Sequence, residues 1–375
     1  MAPAGKPVTD RRFTFLEFFA GGGMARLGLG PAWRCQFAND VDARKCNAYR
    51  LNFGAGDLVE APIETLKIGD LPDQRADLAW ASFPCQDLSL AGARSGMGAR
   101  RSGLFFDFWR LIEALTTQAR APRLIAIENV AGLLTSNGGA DFETILKLMI
   151  DAGYRVGARV IDAAAFTPQS RPRLFIVGVS ADTDERALNG VRDRRLARFA
   201  DAAGASWIDL PAPAARRNID LAQIVDWDKA DWDGAAQTKR LVAMMSSVQR
   251  NRLDDLLAAG GRRAGAGFRR TRYQDGRSVQ RFEARFDGVA GCLRTPAGGS
   301  SRQILIACEN GKIRTRLFTP REAARLMGLP DDYLLPANET AALKLCGDGV
   351  CVPVVSWLAE AVFAPVLAGA KKAAA

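Results

Sequence analysis

Through the first 180 residues, short apolar runs alternate with amphipathic stretches. Phe13–Phe19, Cys35–Asn39, Ala76–Ser82 and Arg123–Glu128 have the length and composition of buried strands, while Asp42–Leu51, Leu104–Gln118 and Phe142–Ala152 space their apolar residues as helices do. Two more apolar runs, Tyr154–Asp162 and Arg173–Ser180, flank a polar loop and predict a hairpin at the end of the sheet. Strands alternating with helices predict an α/β fold built on a doubly wound parallel sheet.

After Ser180 the periodicity weakens into polar sequence in which Trp207, Trp227 and Trp232 are scattered, which predicts a second, smaller and irregular domain. Regularity returns at Thr319–Met327, whose Thr-Pro-Arg-Glu opening supplies a cap, a first-turn proline and a capping-box glutamate. A last apolar helix is expected over Val352–Leu367, with a frayed Ala/Lys-rich end from Ala368. The expected domains are 1–180, completed by a C-terminal helical segment 341–375, and 181–340. At 375 residues the chain exceeds what one core usually supports, in keeping with that division.

Composition narrows the chemistry. No stretch of about 18 uncharged apolar residues occurs, and Met1–Phe13 lacks the apolar centre of a signal peptide, so a soluble, non-exported chain is expected. The sequence contains no histidine, which excludes Ser-His and Cys-His pairs and histidine-bound zinc. Its seven cysteines form no CxxC pair and read as free thiols of a reducing compartment. The net charge of +10 is concentrated. Lys239–Arg302 holds one lysine and thirteen arginines against five acidic residues, a local balance of +9. Arginine is suited to bidentate phosphate and guanine contacts, so this segment points to nucleic acid rather than to a merely solvated face.

Candidate chemistry sits where the predicted strands end. Glu17-Phe18-Phe19-Ala20-Gly21-Gly22-Gly23 places three glycines at a strand-to-helix turn, where a nucleotide-like ligand can approach the backbone. Asp40 follows the second strand, suited to ribose hydroxyls, and Asp57 stands within reach of an adenine amino group. Ser82-Phe83-Pro84-Cys85-Gln86-Asp87-Leu88-Ser89 closes a central strand and offers Cys85 as a nucleophile. An isolated cysteine is ordinarily a buried thiol. Here Glu128, in Ile-Glu-Asn-Val at the next strand end, and Arg171 and Arg173, in Gln-Ser-Arg-Pro-Arg, argue for chemistry.

In their order and spacing, FFAGGG, FPCQDLS, ENV, QSRPR and TPREAARLMGLP resemble the motifs of the cytosine-5 DNA methyltransferases, bacterial or phage type. The resemblance spans nearly the whole chain except 181–318, the family's variable target-recognition region. It implies a Rossmann-like class I methyltransferase sheet in the 1–180 domain, a smaller target-recognition domain, S-adenosylmethionine as methyl donor with S-adenosylhomocysteine as product, and no metal. Cys85 would add to C6 of a flipped-out cytosine, making C5 enamine-like. Glu128 would act at N3 and the amino group, and Arg171 and Arg173 would hold O2 and organise the loop. Local cations would lower the Cys85 pKa in the absence of histidine.

By the same resemblance, Phe19, Ala20, Gly21, Gly22, Gly23, Met24, Asp40, Val41, Asp57, Leu58, Pro84, Leu104, Gly349 and Val350 would hold the cofactor. DNA would meet Gln86, Ser89, Arg94, Arg269, Arg270, Arg272, Thr295, Gly298 and Gly299, with Gly92–Ser102 as a loop closing over the base. The chain departs from the family pattern at Glu17, usually Asp, at Met24, usually Gly, and at Asp348-Gly349, usually Asn-Ser or Asn-Ala. The implied partner is double-stranded DNA, with a cognate restriction endonuclease acting separately where one exists. The implied setting is a monomer in the bacterial cytoplasm or nucleoid, or in a phage-infected host, without a membrane.

Two alternatives remain at this stage. An RNA cytosine-5 methyltransferase shares the fold and nucleophile motif, but the long 181–318 region suits duplex DNA and Phe83 before Pro84-Cys85 is DNA-like. A catalytically silent DNA-binding regulator is the other, against which stand the intact Cys85, Glu128, Arg171 and Arg173. The Asp/Asn-Pro-Pro-Tyr/Phe motif of amino-group methyltransferases is absent.

Overall fold

A computed structural model describes residues 13–84, 103–183, 188–202, 206–214, 217–274, 276–296 and 301–373. The chain divides into two compact units: Met1–Ile161 with Pro172–Pro213 and Val354–Ala375, and Asp162–Arg171 with Ala214–Pro353. The boundaries depart from the expected 1–180 and 181–340. Residues 181–213 stay with the first unit, the loop Asp162–Arg171 goes to the second, and 341–353 also belong to the second.

The first unit is built on seven strands, β1 (Phe13–Phe18), β2 (Trp33–Asp40), β3 (Leu58–Glu60), β4 (Leu78–Ala81), β5 (Leu124–Val130), β6 (Tyr154–Asp162) and β7 (Pro172–Ser180), in the order β3-β2-β1-β4-β5-β7-β6. Strands β1 to β5 pair in parallel, β7 runs antiparallel to β5, and the consecutive strands β6 and β7 are neighbours at the sheet's end, where the terminal hairpin is predicted. The central strands are apolar on both faces because helices cover both. Helices α1 (Met24–Leu29), α2 (Ala43–Phe53), α3 (Leu104–Thr117), α4 (Ala140–Asp151) and α5 (Arg194–Ala202) follow in chain order. The α3 stripe Phe105, Phe108, Leu111, Ile112 and Leu115 packs with Leu16, Phe18, Ile125 and Ile127 of the sheet in one core.

A short return segment explains why 181–213 belongs here. Ile208 N–H donates to the Val156 carbonyl at 2.7 Å, and the Arg159 guanidinium holds the Leu210 carbonyl, so the outer edge of β6 is covered. Gly157 makes this possible, since a Cβ there would stand 2.4 Å from the Ile208 carbonyl oxygen.

The second unit contains α6 (Leu221–Ile224), α7 (Ala235–Ala243), α8 (Ser247–Ala258), β8 (Arg263–Gln274), β9 (Arg277–Arg285), β10 (Ile304–Glu309), β11 (Lys312–Leu317), α9 (Pro320–Leu326) and α10 (Glu339–Asp348). Its antiparallel sheet, ordered β11-β10-β8-β9, was not foreseen where only irregular sequence was expected. Leu241, Met245 and Leu253 of the α7–α8 segment pack with Phe282, Ile304, Ile306 and Cys308 beneath it. The predicted capping box is present: Thr319 and Glu322 bond each other's backbone N–H at the start of α9.

The last predicted helix is α11 (Val352–Leu358), a π-helical turn Ala359–Phe363 and α12 (Ala364–Ala373). By length and hydropathy Glu339–Gly369 would suffice to cross a membrane, but α10 ends before 349–351 and Val355, Val362, Phe363, Val366 and Leu367 are fully buried. Phe363 stacks edge-on against Trp33 and Trp80, with centroids 6.2 and 6.4 Å away, so these are core helices.

Candidate active site

Strand order locates the site. From β1 the chain winds outward through β2 and β3, then returns to β4 on the other side of β1, so the switch of direction lies between β1 and β4. Ligands of open α/β sheets bind at the carboxyl ends of the strands flanking such a switch. Here those ends are the glycine turn after β1 and Ser82-Phe83-Pro84 after β4.

The turn is held in an unusual backbone shape. Phe19, Gly21 and Gly23 all adopt positive φ, at 58°, 57° and 77°. At Phe19, a bulky non-glycine residue, this is a conformation that persists only when the surroundings enforce it, as at ligand sites. Ala20 N–H donates to the Asn39 carbonyl and Gly21 N–H to Asp40 Oδ2, both at 2.8 Å, which stitches the turn to the end of β2. Gly23 must be glycine twice over, since a Cβ would lie 2.4 Å from the Phe53 ring. Phe19 meets Phe83 edge-on at 6.2 Å.

Asp40 accepts a second backbone bond from Asp42 N–H at 2.9 Å, while Val41 beside it is 63% exposed. Asp57 precedes β3 and pairs with Arg26 at 3.0 Å. Ala20, Gly22 and Met24 are buried, Leu58 and Leu104 half-buried and Pro84 exposed. Glu17 is fully buried at the base of the turn. Burial pushes its carboxyl up to about 8, Arg26 beside it opposing the rise, and its Oε2 has no hydrogen-bond partner among the described residues. A glycine turn open to a ligand, a carboxylate at the end of β2, a second just before β3 and a buried carboxyl oxygen without a hydrogen-bond donor among the described residues fit a nucleoside bearing an amino-acid arm.

At the end of β5, Glu128 is buried and its Oε1 lies 3.2 Å from Arg173 Nε. The antiparallel register pairs Val130 with Arg173, so Glu128 and Arg173 are diagonal neighbours on one face. Asn129, which sequence reasoning passed over, donates from Nδ2 to the Phe83 carbonyl at 3.0 Å and so clamps the segment that leads into Cys85. Its position next to Glu128 in the ENV run was the available signal.

Cys85, Gln86, Ser89, Arg94, the rest of Gly92–Ser102, Gly298 and Gly299 lie outside the described residues. Arg171 belongs to the second unit and is 2% exposed. Its guanidinium donates to the Leu293, Gly347 and Gly349 carbonyls at 3.1, 2.9 and 2.7 Å and to Cys292 Sγ. Those bonds organise the loops around it, and the guanidinium is not free to hold a base as the sequence reading had it. Thr295 donates to Asp348, and Val350 is buried. Arg270 and Arg272 share one face of the β8–β9 hairpin and Arg269 stands on the other.

The model of the C-5 cytosine-specific DNA methylase family matches residues 13–364. The chain belongs to the C-5 cytosine DNA methylases. It is 32% identical over 353 residues to the Type II methyltransferase M.NlaX of Neisseria lactamica, covering 93% of this chain and 95% of that one. With the Type II methyltransferase M.HhaI of Haemophilus parahaemolyticus it shares 26% over 363 residues, 94% and 95% of the two chains. In fold it is similar to the Dnmt2 methyltransferase of S. pombe, at a TM-score of 0.60 and 17% identity over 94% of this chain and 99% of the other. As a member of this family the methylase transfers a methyl group to C5 of cytosine in DNA, and the family implies S-adenosylmethionine as donor.

Proposed function

We propose that this methylase acts through Cys85, Glu128 and Arg173 on a cytosine turned out of duplex DNA. The observation that carries the reading is the buried Glu128–Arg173 pair beside the segment that Asn129 clamps and that leads into Cys85. S-adenosylmethionine, when bound, supplies an electrophilic methyl group. The Cys85 thiolate adds to C6 of the cytosine, Glu128 bonds N3 and the amino group as negative charge develops, and Arg173 holds Glu128 and faces O2. C5 of the adduct then takes that methyl group, leaving S-adenosylhomocysteine as a neutral thioether, and loss of the C5 proton to solvent expels the Cys85 thiolate. Arg171 acts through the loops that it ties together.

Phe19, Ala20, Gly21, Gly22, Gly23 and Met24 would shape the cofactor cradle, with Asp40 and Val41 at the ribose, Asp57 and Leu58 at the adenine, and Pro84 and Leu104 beside them. Gly349 and Val350 complete the set, and no metal takes part. Sequence reading falls to the second unit. Beyond Gly267, where pairing with β10 stops, β8 and β9 continue as a two-stranded ribbon with Arg270, Arg272, Arg277 and Arg281 on one face. Such a face suits phosphates and base edges. The proposed setting is a monomer in the cytoplasm, with any cognate endonuclease acting separately.

The test is bisulfite sequencing of plasmid DNA from cells without endogenous cytosine methylation that express either the native chain or Cys85→Ser. Protection of cytosines within one short recurring sequence, only with the native chain, is expected. Equal conversion in both would overturn the reading and favour an RNA substrate. Glu128→Gln should lose roughly 10²–10⁴ in rate.

A further inference from the structure

A line of polar contacts leads from Asp57 into the core through Arg26, Tyr49 and Cys35, three residues without a part in the proposed reaction. Arg26, on α1 directly after the glycine turn, donates from Nη1 to Asp57 Oδ2 at 3.0 Å and to the Tyr49 hydroxyl at 2.8 Å. Arginine only donates, so the Tyr49 oxygen is the acceptor and its proton is left for Cys35 Sγ, 3.6 Å away. The Cys35 thiol donates in turn to the Phe37 carbonyl at 3.4 Å, on β2. Burial pushes the Cys35 thiol up to about 12 and raises Tyr49 as well, so both keep the protons that this relay needs.

The guanidinium is also fixed by its surroundings. It lies over the Phe53 and Tyr49 rings, 5.0 and 5.6 Å from their centroids, and its side chain is 17% exposed against 35% for Asp57. The same two rings fill the space that a Cβ on Gly23 would need. The backbone N–H of Arg26 approaches Glu17 Oε1 at 3.4 Å. One residue thus bonds the carboxylate at one end of the cradle and the buried carboxyl at its base, and does so from the helix that the glycine turn begins.

We propose that Arg26 is a positioning residue for adenine recognition. It holds Asp57 Oδ2, so that the other carboxylate oxygen is presented to the adenine amino group. This rests on the assignment of Asp57 to adenine. A carboxylate held in one orientation accepts from an amino group and repels a keto oxygen, so its signature is selectivity between ligands that differ only there. General weakening of the fold would lower affinity for both alike.

The experiment is calorimetric titration of the full chain with S-adenosylhomocysteine and with S-inosylhomocysteine, which carries a keto group in place of the amino group. The native chain should prefer the adenosyl compound. Arg26→Gln should lose roughly ten-fold or more of that preference, the range for a hydrogen bond to a charged group, while Arg26→Lys restores part of it. In turnover the loss should fall on KM for S-adenosylmethionine rather than on kcat. Asp57→Asn should abolish the preference, and the double variant should lose no more than Asp57→Asn alone. If Asp57→Asn leaves the preference intact, the adenine assignment fails and the proposal with it. If Asp57→Asn abolishes it but Arg26→Gln lowers both affinities equally, the assignment stands and the positioning role is overturned. Should Arg26→Gln not fold, Arg26→Lys decides, because it must shift the ratio and not only the affinities.

Discussion

Two buried glutamates, one in each unit, illustrate opposite ways of keeping a carboxyl group out of water. Glu322, at the start of α9, is fully buried and accepts four bonds, two from Arg316 at 2.6 and 2.7 Å and one each from the Asp226 and Thr319 backbone N–H groups at 2.9 Å. Glu17, under the glycine turn, is as deeply buried, but the Arg26 backbone N–H lies 3.4 Å from its Oε1 and its Oε2 has no hydrogen-bond partner among the described residues. The first carboxylate is saturated by protein and serves the fold. The second, raised to about 8 and so carrying its proton at neutral pH, keeps an unused acceptor oxygen beside a turn shaped for a ligand, which costs stability in the free protein.

The sharpest way to break this contrast is Glu322→Gln. It strands the Arg316 guanidinium, 2% exposed, without its counter-ion, and should cost about 3–5 kcal/mol in urea unfolding. A loss under 1 kcal/mol would mean that the pair is not what holds β11 to α9. Next comes Glu17→Gln, with the opposite sign. The folded carboxyl, raised to about 8 from its ordinary 4.5, binds its proton more tightly than the unfolded one. Glu17 should therefore contribute its full stability below 4.5 and lose it as pH rises towards 8, a contribution read as the difference between the native chain and the variant. The glutamine variant should lack that decline and be more stable at pH 8 by on the order of a few kcal/mol. Thermal melting of both chains across that range would show it, and parallel pH profiles would refute it.

Asp42 supplies a third, exposed case. Its carboxylate caps α2 by accepting from Arg44 and Lys45 N–H groups at 2.9 and 3.2 Å, so Asp42→Ala should cost about 1 kcal/mol. Smallest of all should be the joint replacement Arg316→Met with Glu322→Leu, near neutral if apolar packing substitutes for a paired charge. A large loss there would show that the bonds to Asp226 and Thr319 matter more than the ion pair.

The sheet of the first unit was legible because its strands are buried on both faces and read as unbroken apolar runs, as in Leu78–Ala81 and Leu124–Ile127. The glycine turn was legible because glycine most readily adopts the positive φ of Gly21 and Gly23, and because only glycine at position 23 leaves room for Phe53. Strands β8 and β9 were not, since arginines stand where a half-buried strand would show apolar residues, and only pairing reveals which face each one joins. Asn129 and Arg26 were missed for a related reason. Their partners, Phe83 and Asp57, are 46 and 31 residues away and are brought near by the sheet alone. The burial of Arg171 was equally invisible, because a loop arginine in sequence looks the same whether it faces substrate or carbonyls.

The discontinuity of the first unit sets a timetable for its folding. Trp33 and Trp80 are made early, yet the ring that seals them, Phe363, leaves the ribosome only after all of 214–353 has been synthesised. At about 5–20 residues per second that interval is on the order of ten seconds or more. During it Trp33 has only Phe13 and Trp80 only Phe175 as ring neighbours, so chaperone engagement should persist until the final helices emerge and end abruptly when they dock.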